Sequence, residues 1–228
     1  PDVFRQEYDC EWVTFQGKIY NEFDLNRHVR SDIPWPEDWQ TVVCGIDWGY
    51  EDATCFLFAY VKDGKIYIFD EIYETKKTLE DILTIFNMHK GVMWQCGSFA
   101  AAADHDKARN EELNRRGIPC APAKKADTLG NRLQVKEKLY KDEIYVHPRC
   151  KMLIKDWSSA TWDTKKLNEI DYDQCSWGHF DAESAARYLI RELSEFEDEE
   201  PVFNPHEMGD PLSSAAWKLR QARAGGIQ

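Results

Sequence analysis

The chain has 228 residues, of which 43% are hydrophobic and 31% charged, and its formal net charge is −12 at pH 7. This length is enough for one sizeable core and too short for two full domains, and an aromatic content of 13% excludes a disordered chain. No apolar run approaches the roughly 20 residues that span a bilayer, so we expect no membrane partner.

The charge is divided unevenly along the chain. Residues 192–211 contain eight acidic residues and neither Lys nor Arg, whereas residues 105–155 contain thirteen basic residues against seven acidic ones. Net acidity argues against a nucleic-acid partner, because phosphate is bound by Lys and Arg. Since the acidic residues are concentrated in a tail, the basic block remains available for phosphate contact.

The cysteine pattern and the first residues of the chain indicate its cellular compartment. The seven cysteines form no Cys-x-x-Cys pair, which is typical of free thiols in a reducing compartment. The first residues lack the features of a secretory signal, and no Met precedes Pro1. We therefore expect a cytoplasmic protein that is a piece of a longer chain.

The first half of the chain predicts an arm followed by a β-meander and a helix. Residues 1–40 mix aromatic and turn-forming residues without a long period, which indicates an arm or linker. Apolar or alternating runs then predict three antiparallel strands, Val42–Ile46, Thr54–Val61 and Lys65–Phe69. Thr78 can cap a helix whose apolar residues have near-helical spacing, and Gly91 follows its end.

The second half predicts alternating strands and helices. The run 98–103 is assigned to a buried strand because of its place in a β-α-β order, although alanine favours a helix. Residues 161–178 are predicted to form an excursion from the sheet, such as a hairpin. The other predicted elements are a short strand at 118–122, helices at 106–116, 129–141 and 149–157, and a last helix with Ala182, Ala185, Ala186, Leu189, Ile190 and Leu193 on one stripe.

The segment beyond Glu195 is predicted to be a mobile acidic tail, 196–228. Its last part, 212–223, has the pattern of a short basic amphipathic helix. A solvated end and a segment that docks to a partner protein both fit this pattern.

Two aspartates follow the ends of predicted strands. Asp47 ends the first strand within Gly45-Ile-Asp-Trp-Gly49, and Asp104 follows the run 98–103. If these strands are neighbours, two carboxylates meet at one edge and must share a proton, pair with bases or hold cations. Asp106 lies nearby, but its position at a helix start favours a capping role.

A third acid, Asp181, lies in the first turn of the last helix, beside the alanine stripe that we expect to face the sheet. Helix capping remains an alternative for this residue. Three acids on separate elements suit two Mg²⁺ or Mn²⁺ ions, because hard cations take oxygen ligands. Two such ions about 3.5 to 4 Å apart can stabilise the attacking and leaving oxygens of a phosphodiester hydrolysis.

Four short motifs together resemble the nuclease domain of the large terminase subunit of tailed bacteriophages, which has an RNase H-like fold. In chain order they are 45–52 (GIDWGYED), 102–105 (AADH), 122–128 (PAKKADT) and 179–182 (HFDA) with 186–188 (ARY). Each motif alone is weak, and the match depends on their order and spacing. The resemblance implies a mixed α/β sheet of three antiparallel strands plus parallel strands, flanked by helices.

The resemblance also implies a site, a substrate and partners. Asp47, Asp104 and Asp181 would be the catalytic metal ligands, with His179 and Glu183 as additional candidates, and double-stranded viral DNA concatemers would be cut during packaging. Lys124, Lys125 and Arg132 would contact DNA, although a solvated loop also fits the two lysines. The implied partners are the portal protein, the small terminase subunit and the ATPase domain of the full-length chain, acting in the host cytoplasm.

Two departures limit the match. The sequence contains no Gly-x-x-x-x-Gly-Lys-[Ser/Thr] phosphate loop, so we expect a nuclease domain at 41–195 without the ATPase, preceded by a linker at 1–40. The spacing around the third acid is also less usual. The alternatives are a Holliday-junction resolvase or transposase-like nuclease, and a non-catalytic DNA-packaging interaction module.

Overall fold

Six β-strands form one mixed sheet in the computed structural model, which describes residues 17–37, 40–89, 98–125, 127–166 and 168–197. The strands are β1 Thr41–Asp47, β2 Thr54–Lys62, β3 Lys65–Glu74, β4 Ser98–Ala103, β5 Cys120–Pro122 and β6 Ile144–Val146. The helices are α1 Leu25–His28, α2 Leu79–Met88, α3 Lys107–Arg115, α4 Thr128–Tyr140, α5 Lys151–Ser159 and α6 Asp181–Glu197.

The sheet has the order β5-β4-β1-β2-β3-β6. The three antiparallel strands predicted from the sequence are β1, β2 and β3, while β4, β5 and β6 add in parallel to β1, β4 and β3, respectively. Asp63 and Gly64 form the β2–β3 turn with φ of 53° and 70°, the left-handed conformation that a tight hairpin requires. The predicted α/β class with a mixed sheet is confirmed.

Helices cover both faces of the sheet. Successive residues of the central strands point to opposite faces, and the apolar side chains on each face pack against helices. Val43, Leu57 and Ile68 face a core formed with α4, α5 and α6. Val42, Phe58 and Phe69 face a second core, formed with α2 and α3. Burial on both faces explains why the strands appear in the sequence as nearly continuous apolar runs.

The alanine stripe of α6 lies directly on β1, as predicted. Ala182, Ala185 and Ala186 are fully buried. A Cβ atom at Gly45 would collide with the carbonyl oxygen of Ala185 and approach the Cβ of Leu189 to 2.8 Å. Small residues on both elements therefore let the helix approach the strand closely, which brings the start of α6 to the sheet edge where β1 ends.

The cap predicted for α2 and the capping role favoured for Asp106 are confirmed. The Thr78 hydroxyl and the Asp81 side chain form a reciprocal capping box at α2. Asp106 accepts a hydrogen bond of 3.0 Å from the amide of Arg109. Gly91, expected to follow the end of α2, lies outside the described residues.

The structure differs from the predicted elements at two places. Strand β6 was not predicted, since three residues between two helices are too short to show alternation. Part of the predicted arm packs into the core, where Ile19 and Tyr20 are buried, and Val29 pairs with Val146. The predicted excursion contains one antiparallel bridge, Trp162 to Ile170, and a short 3₁₀ helix, 172–174.

Two further sequence predictions concern thiols and the bilayer. Cys44, Cys55, Cys120, Cys150 and Cys175 are buried and carry free thiols. Within the described ranges, no helix combines the length and apolar composition that crossing a bilayer requires. Most of the predicted tail, residues 198–228, lies outside the described residues.

Candidate metal centre

Asp47 and Asp104 lie side by side at one edge of the sheet. Strands β1 and β4 run parallel with Ile46 opposite Ala103, so the two aspartates follow at the same level. The amide of Asp104 donates a hydrogen bond of 2.9 Å to the carbonyl oxygen of Ile46. Because adjacent strands are about 4.8 Å apart, their backbones place the two carboxylates within reach of each other.

Asp181 reaches the same edge from α6. Cys55 on β2 lies opposite both Asp47 and Tyr73, so these three residues form one row across β1, β2 and β3. The hydroxyl of Tyr73 donates a hydrogen bond of 3.0 Å to Oδ2 of Asp181. Asp181 is 5% exposed. All three aspartates therefore lie at the same edge of the sheet.

The electrostatics of this edge are those of a buried acidic site. Burial, followed by the charges of Asp181 and Asp104, raises the pKa of Asp47 to about 8. Burial also raises the pKa of Asp181, and the nearby carboxylate of Asp52 adds to this effect. An all-oxygen donor set of three carboxylates fits hard divalent cations such as Mg²⁺ or Mn²⁺.

The ligands are not gathered around a common point. Within the described part of the chain, no three His, Cys, Asp or Glu side chains are close enough to hold an ion. Oδ1 of Asp104 instead forms an ion pair with Nζ of Lys125 and accepts a hydrogen bond from the amide of His105. Metal binding would therefore require the side chain of Asp104 to change its partners.

Of the two additional candidate ligands, only His179 is exposed near the acidic edge. Its imidazole lies 4.9 Å from the ring of Tyr172 between centroids, and its charge lowers the pKa of Asp181 against the larger effect of burial. Glu183 is 1% exposed, and its Oε1 accepts hydrogen bonds from Tyr20, Arg132 and Arg187. Because these donors already occupy its carboxylate, the expectation that Glu183 binds metal is corrected to a role within the protein interior.

The same network corrects the prediction for Arg132. Its guanidinium is buried, and Nε lies 3.0 Å from Oε1 of Glu183. Burial opposes ionisation of Glu183, but Arg187 and Arg132 outweigh it and lower its pKa to about 2. Arg132 therefore neutralises a buried carboxylate and does not face a DNA surface. Lys124 is exposed and Lys125 is partly exposed, so both can reach a ligand.

Several residues that support this edge were not singled out from the sequence. Asp156 on α5 accepts hydrogen bonds of 3.0 Å from the amide of Glu183 and from Nε1 of Trp177. It thereby caps the first turn of α6, which carries Asp181. Tyr73 orients Asp181 directly. Nothing local marks either residue, since their partners are far away in the sequence.

An open cleft of about 500 Å³ adjoins Asp104. Its lining includes Tyr50, which is 51% exposed, and Lys107 at the start of α3. Arg109 forms one wall: its guanidinium lies 5.4 Å from the Trp48 ring centroid and donates to the carbonyl oxygen of Gly49. An exposed ring and cationic side chains beside the acidic edge are suited to a phosphodiester strand.

The order and directions of the strands, with Asp47 and Asp104 at the same end of the parallel neighbours β1 and β4, give the chain the fold of solved terminase nuclease domains. The large terminase of a thermophilic bacteriophage superposes with a TM-score of 0.73 at 23% identity, over 85% of this chain and 49% of that one. The large terminase nuclease from another thermophilic phage, G20c, with bound magnesium, superposes with a TM-score of 0.58 at 16% identity, over 77% of this chain and 97% of that one.

The sequence comparison identifies a particular relative. The chain is 29% identical over 182 residues to the large terminase subunit of Escherichia phage T5. This match covers 74% of the chain and 40% of the relative, so the chain spans less than half the length of that protein. No family model matches the chain. The resemblance to terminase nuclease domains inferred from the motifs is thus confirmed.

Proposed function

We propose that this chain is the nuclease region of a phage large terminase subunit, a metal-dependent endonuclease that cuts double-stranded viral DNA concatemers during packaging. The observation that carries the proposal is the placement of Asp47, Asp104 and Asp181 at one edge of the sheet. The similarity to the T5 subunit, and the magnesium, cobalt and zinc complexes of the G20c nuclease, support the same function.

The three aspartates would hold two Mg²⁺ or Mn²⁺ ions. When bound, such a pair supplies the positive charge that activates an attacking water and stabilises the leaving oxygen. Asp47 would be the ligand shared by the two ions, because the charges of both Asp181 and Asp104 act on its carboxylate. Asp104 would hold one side and Asp181 the other, with Tyr73 keeping Asp181 oriented.

The DNA backbone would pass over the acidic edge. Lys107 lines the cleft beside Asp104, and Lys124 and Lys125 follow β5, where Lys125 pairs with Asp104. Contacts of this kind neutralise phosphates without reading bases, so we expect little sequence preference. The choice of cutting site would come from partners.

The proposal includes partners, because the chain spans only part of its T5 relative. Since the chain spans 40% of the T5 relative, we propose that an ATPase domain belongs to the same full-length protein. The portal protein and the small terminase subunit would complete the packaging complex in the host cytoplasm. Residues 1–40 would join the ATPase to the nuclease, residues 41–195 would form the nuclease, and the acidic tail would begin at 196.

A plasmid-nicking experiment tests the proposal. Supercoiled plasmid incubated with the protein and Mn²⁺ or Mg²⁺ should become nicked and then linear, and EDTA should prevent this. Asp47→Asn should abolish cutting, because it removes the shared carboxylate at nearly constant shape. Asp142→Asn is the matched control, since this exposed acid pairs with Arg27 away from the site.

Each outcome separates the proposal from its alternatives. A wild-type protein that fails to nick DNA with either metal would contradict the proposal and favour a non-catalytic module. Cutting retained by Asp47→Asn would remove Asp47 from the mechanism. Preference for a four-way junction over plain duplex would favour a resolvase.

A further inference from the structure

The segment that carries Lys125 is fixed against the strand end that carries Asp104. It follows β5, and the amide of Ala123 donates a hydrogen bond of 2.6 Å to the carbonyl oxygen of Ala103. Nε2 of His105 lies 2.8 Å from the carbonyl oxygen of Ala123. These contacts on both sides of Asp104 hold the lysine beside the acidic edge.

The ammonium group of Lys125 lies where a cation would balance this edge. Its Nζ forms an ion pair with Oδ1 of Asp104 and is 5.6 Å from the ring centroid of Tyr188 on α6. Its charge also opposes the rise in the pKa of Asp47 that burial and the other two aspartates cause. One ammonium therefore acts on carboxylates from two neighbouring strands.

This arrangement excludes a divalent ion from the same oxygen. A lysine ammonium and a divalent ion cannot both be in direct contact with the same carboxylate oxygen. The Lys125 side chain is 38% exposed, and its flexible stem allows the head group to leave the carboxylate for solvent or for a phosphate.

We propose that Lys125 is the resident cation of the metal-free site, and that a divalent ion displaces its ammonium from Asp104 onto the DNA backbone. The inference rests on the proposed function, and it adds a coupling that the aspartates alone do not imply. In the metal-free protein Lys125 is engaged by Asp104, and after metal binding it is available to phosphate. Metal and DNA therefore each strengthen the binding of the other.

Metal binding without DNA tests the competition. Mn²⁺ affinity is measured by calorimetry on the full chain for the wild type, Lys125→Gln and Lys125→Arg. Lys125→Gln should bind Mn²⁺ about tenfold more tightly, because an adjacent unit charge changes a carboxylate's affinity for a cation by about one pK unit or more. Lys125→Arg keeps the charge, so its affinity should stay near the wild-type value.

Lys141→Gln is the matched control. It removes one exposed ammonium, 51% exposed, that pairs with Glu137 at the end of α4, away from the acidic edge. Its effect on Mn²⁺ affinity should be below about twofold, as expected for a screened charge. Unchanged or weaker Mn²⁺ binding by Lys125→Gln would overturn the inference, as would equal tightening by both variants.

DNA binding tests the coupling. Fluorescence anisotropy with a labelled duplex should show that Ca²⁺ increases the DNA affinity of the wild type, and that this increase is smaller for Lys125→Gln. An equal increase in both proteins would contradict the coupling. If the wild type nicks plasmid while Lys125→Gln binds Mn²⁺ no better, only this inference fails. If neither protein binds Mn²⁺, the proposed function fails with it.

Discussion

The amide of Asp104 donates a hydrogen bond of 2.9 Å to the carbonyl oxygen of Ile46. This single contact extends the β1–β4 ladder one residue beyond the last strand pair and sets Asp104 level with Asp47. The relative height of the two carboxylates is therefore determined by backbone pairing. Side chains contribute what remains: the orientation of each carboxylate and the charge that surrounds it.

The stability of the metal-free protein should depend on Asp47 and on pH. The pKa of this carboxyl is raised to about 8 in the folded protein from 3.8, so between these values the folded state retains a proton that the unfolded state loses. Stability therefore falls as pH rises towards 8. Asp47→Asn should remove this loss. The free energy of unfolding of the variant, measured relative to the wild type, should therefore be about 1 to 3 kcal/mol higher at pH 8 than at pH 5.

Urea denaturation in EDTA at pH 5, 6.5 and 8 provides the measurement. The difference between Asp47→Asn and wild type should grow with pH, and Mn²⁺ should reduce it by stabilising the wild type. A difference that is constant over this range would show that Asp47 is not protonated in the folded protein.

Tyr73→Phe should weaken metal binding while leaving the fold intact. The change removes the hydroxyl that donates to Oδ2 of Asp181 and nothing else. Loss of a partner that orients a ligand typically costs about tenfold or more in metal affinity. Calorimetry with Mn²⁺ measures the effect, and Tyr67→Phe on the same strand is the control. Equal affinities for the two variants would argue against an orienting role.

Glu183→Gln should destabilise the protein strongly. It leaves the buried guanidinium groups of Arg132 and Arg187 without their shared counter-charge, which costs about 3 to 5 kcal/mol when one partner of a buried pair is lost. Glu137→Gln, which breaks an exposed pair with Lys141, should cost less than about 0.5 kcal/mol. Thermal denaturation distinguishes them, and a small loss for Glu183→Gln would contradict the structural role assigned here.

Gly45→Ala should separate α6 from β1. The added Cβ would meet the backbone of Ala185, which cannot move without displacing the helix. Overpacking of this kind costs about 1 to 3 kcal/mol. Because α6 carries Asp181, Mn²⁺ affinity should fall together with stability. Full metal affinity in a destabilised Gly45→Ala protein would show that Asp181 does not depend on this contact.

Lys107→Gln should weaken DNA binding uniformly across sequences. If Lys107 contacts one phosphate, the slope of log affinity against log salt should decrease by about 1. Anisotropy between roughly 50 and 200 mM salt measures this slope, and Lys141→Gln at the end of α4 is the control. An unchanged slope would place the DNA elsewhere on the surface.

Much of the fold was predictable because its signals are local. A capping residue, a turn at Asp63-Gly64 and apolar runs mark elements without reference to distant residues. The acids at strand ends were predictable for the same reason, since parallel neighbours end at one edge. Strand β6 was missed because its three residues form a strand only by pairing with β3.

The side-chain environment was not predictable, since its partners are far apart in the chain. Arg132 looked like one member of an exposed basic block, but the fold buries it against Glu183, 51 residues away. Tyr73 and Asp181 are separated by 108 residues. The sequence by itself determined which carboxylates exist and where their elements end. Only the tertiary structure decided which of them share an edge and which cations neutralise them, because charge and burial act through space and not along the chain.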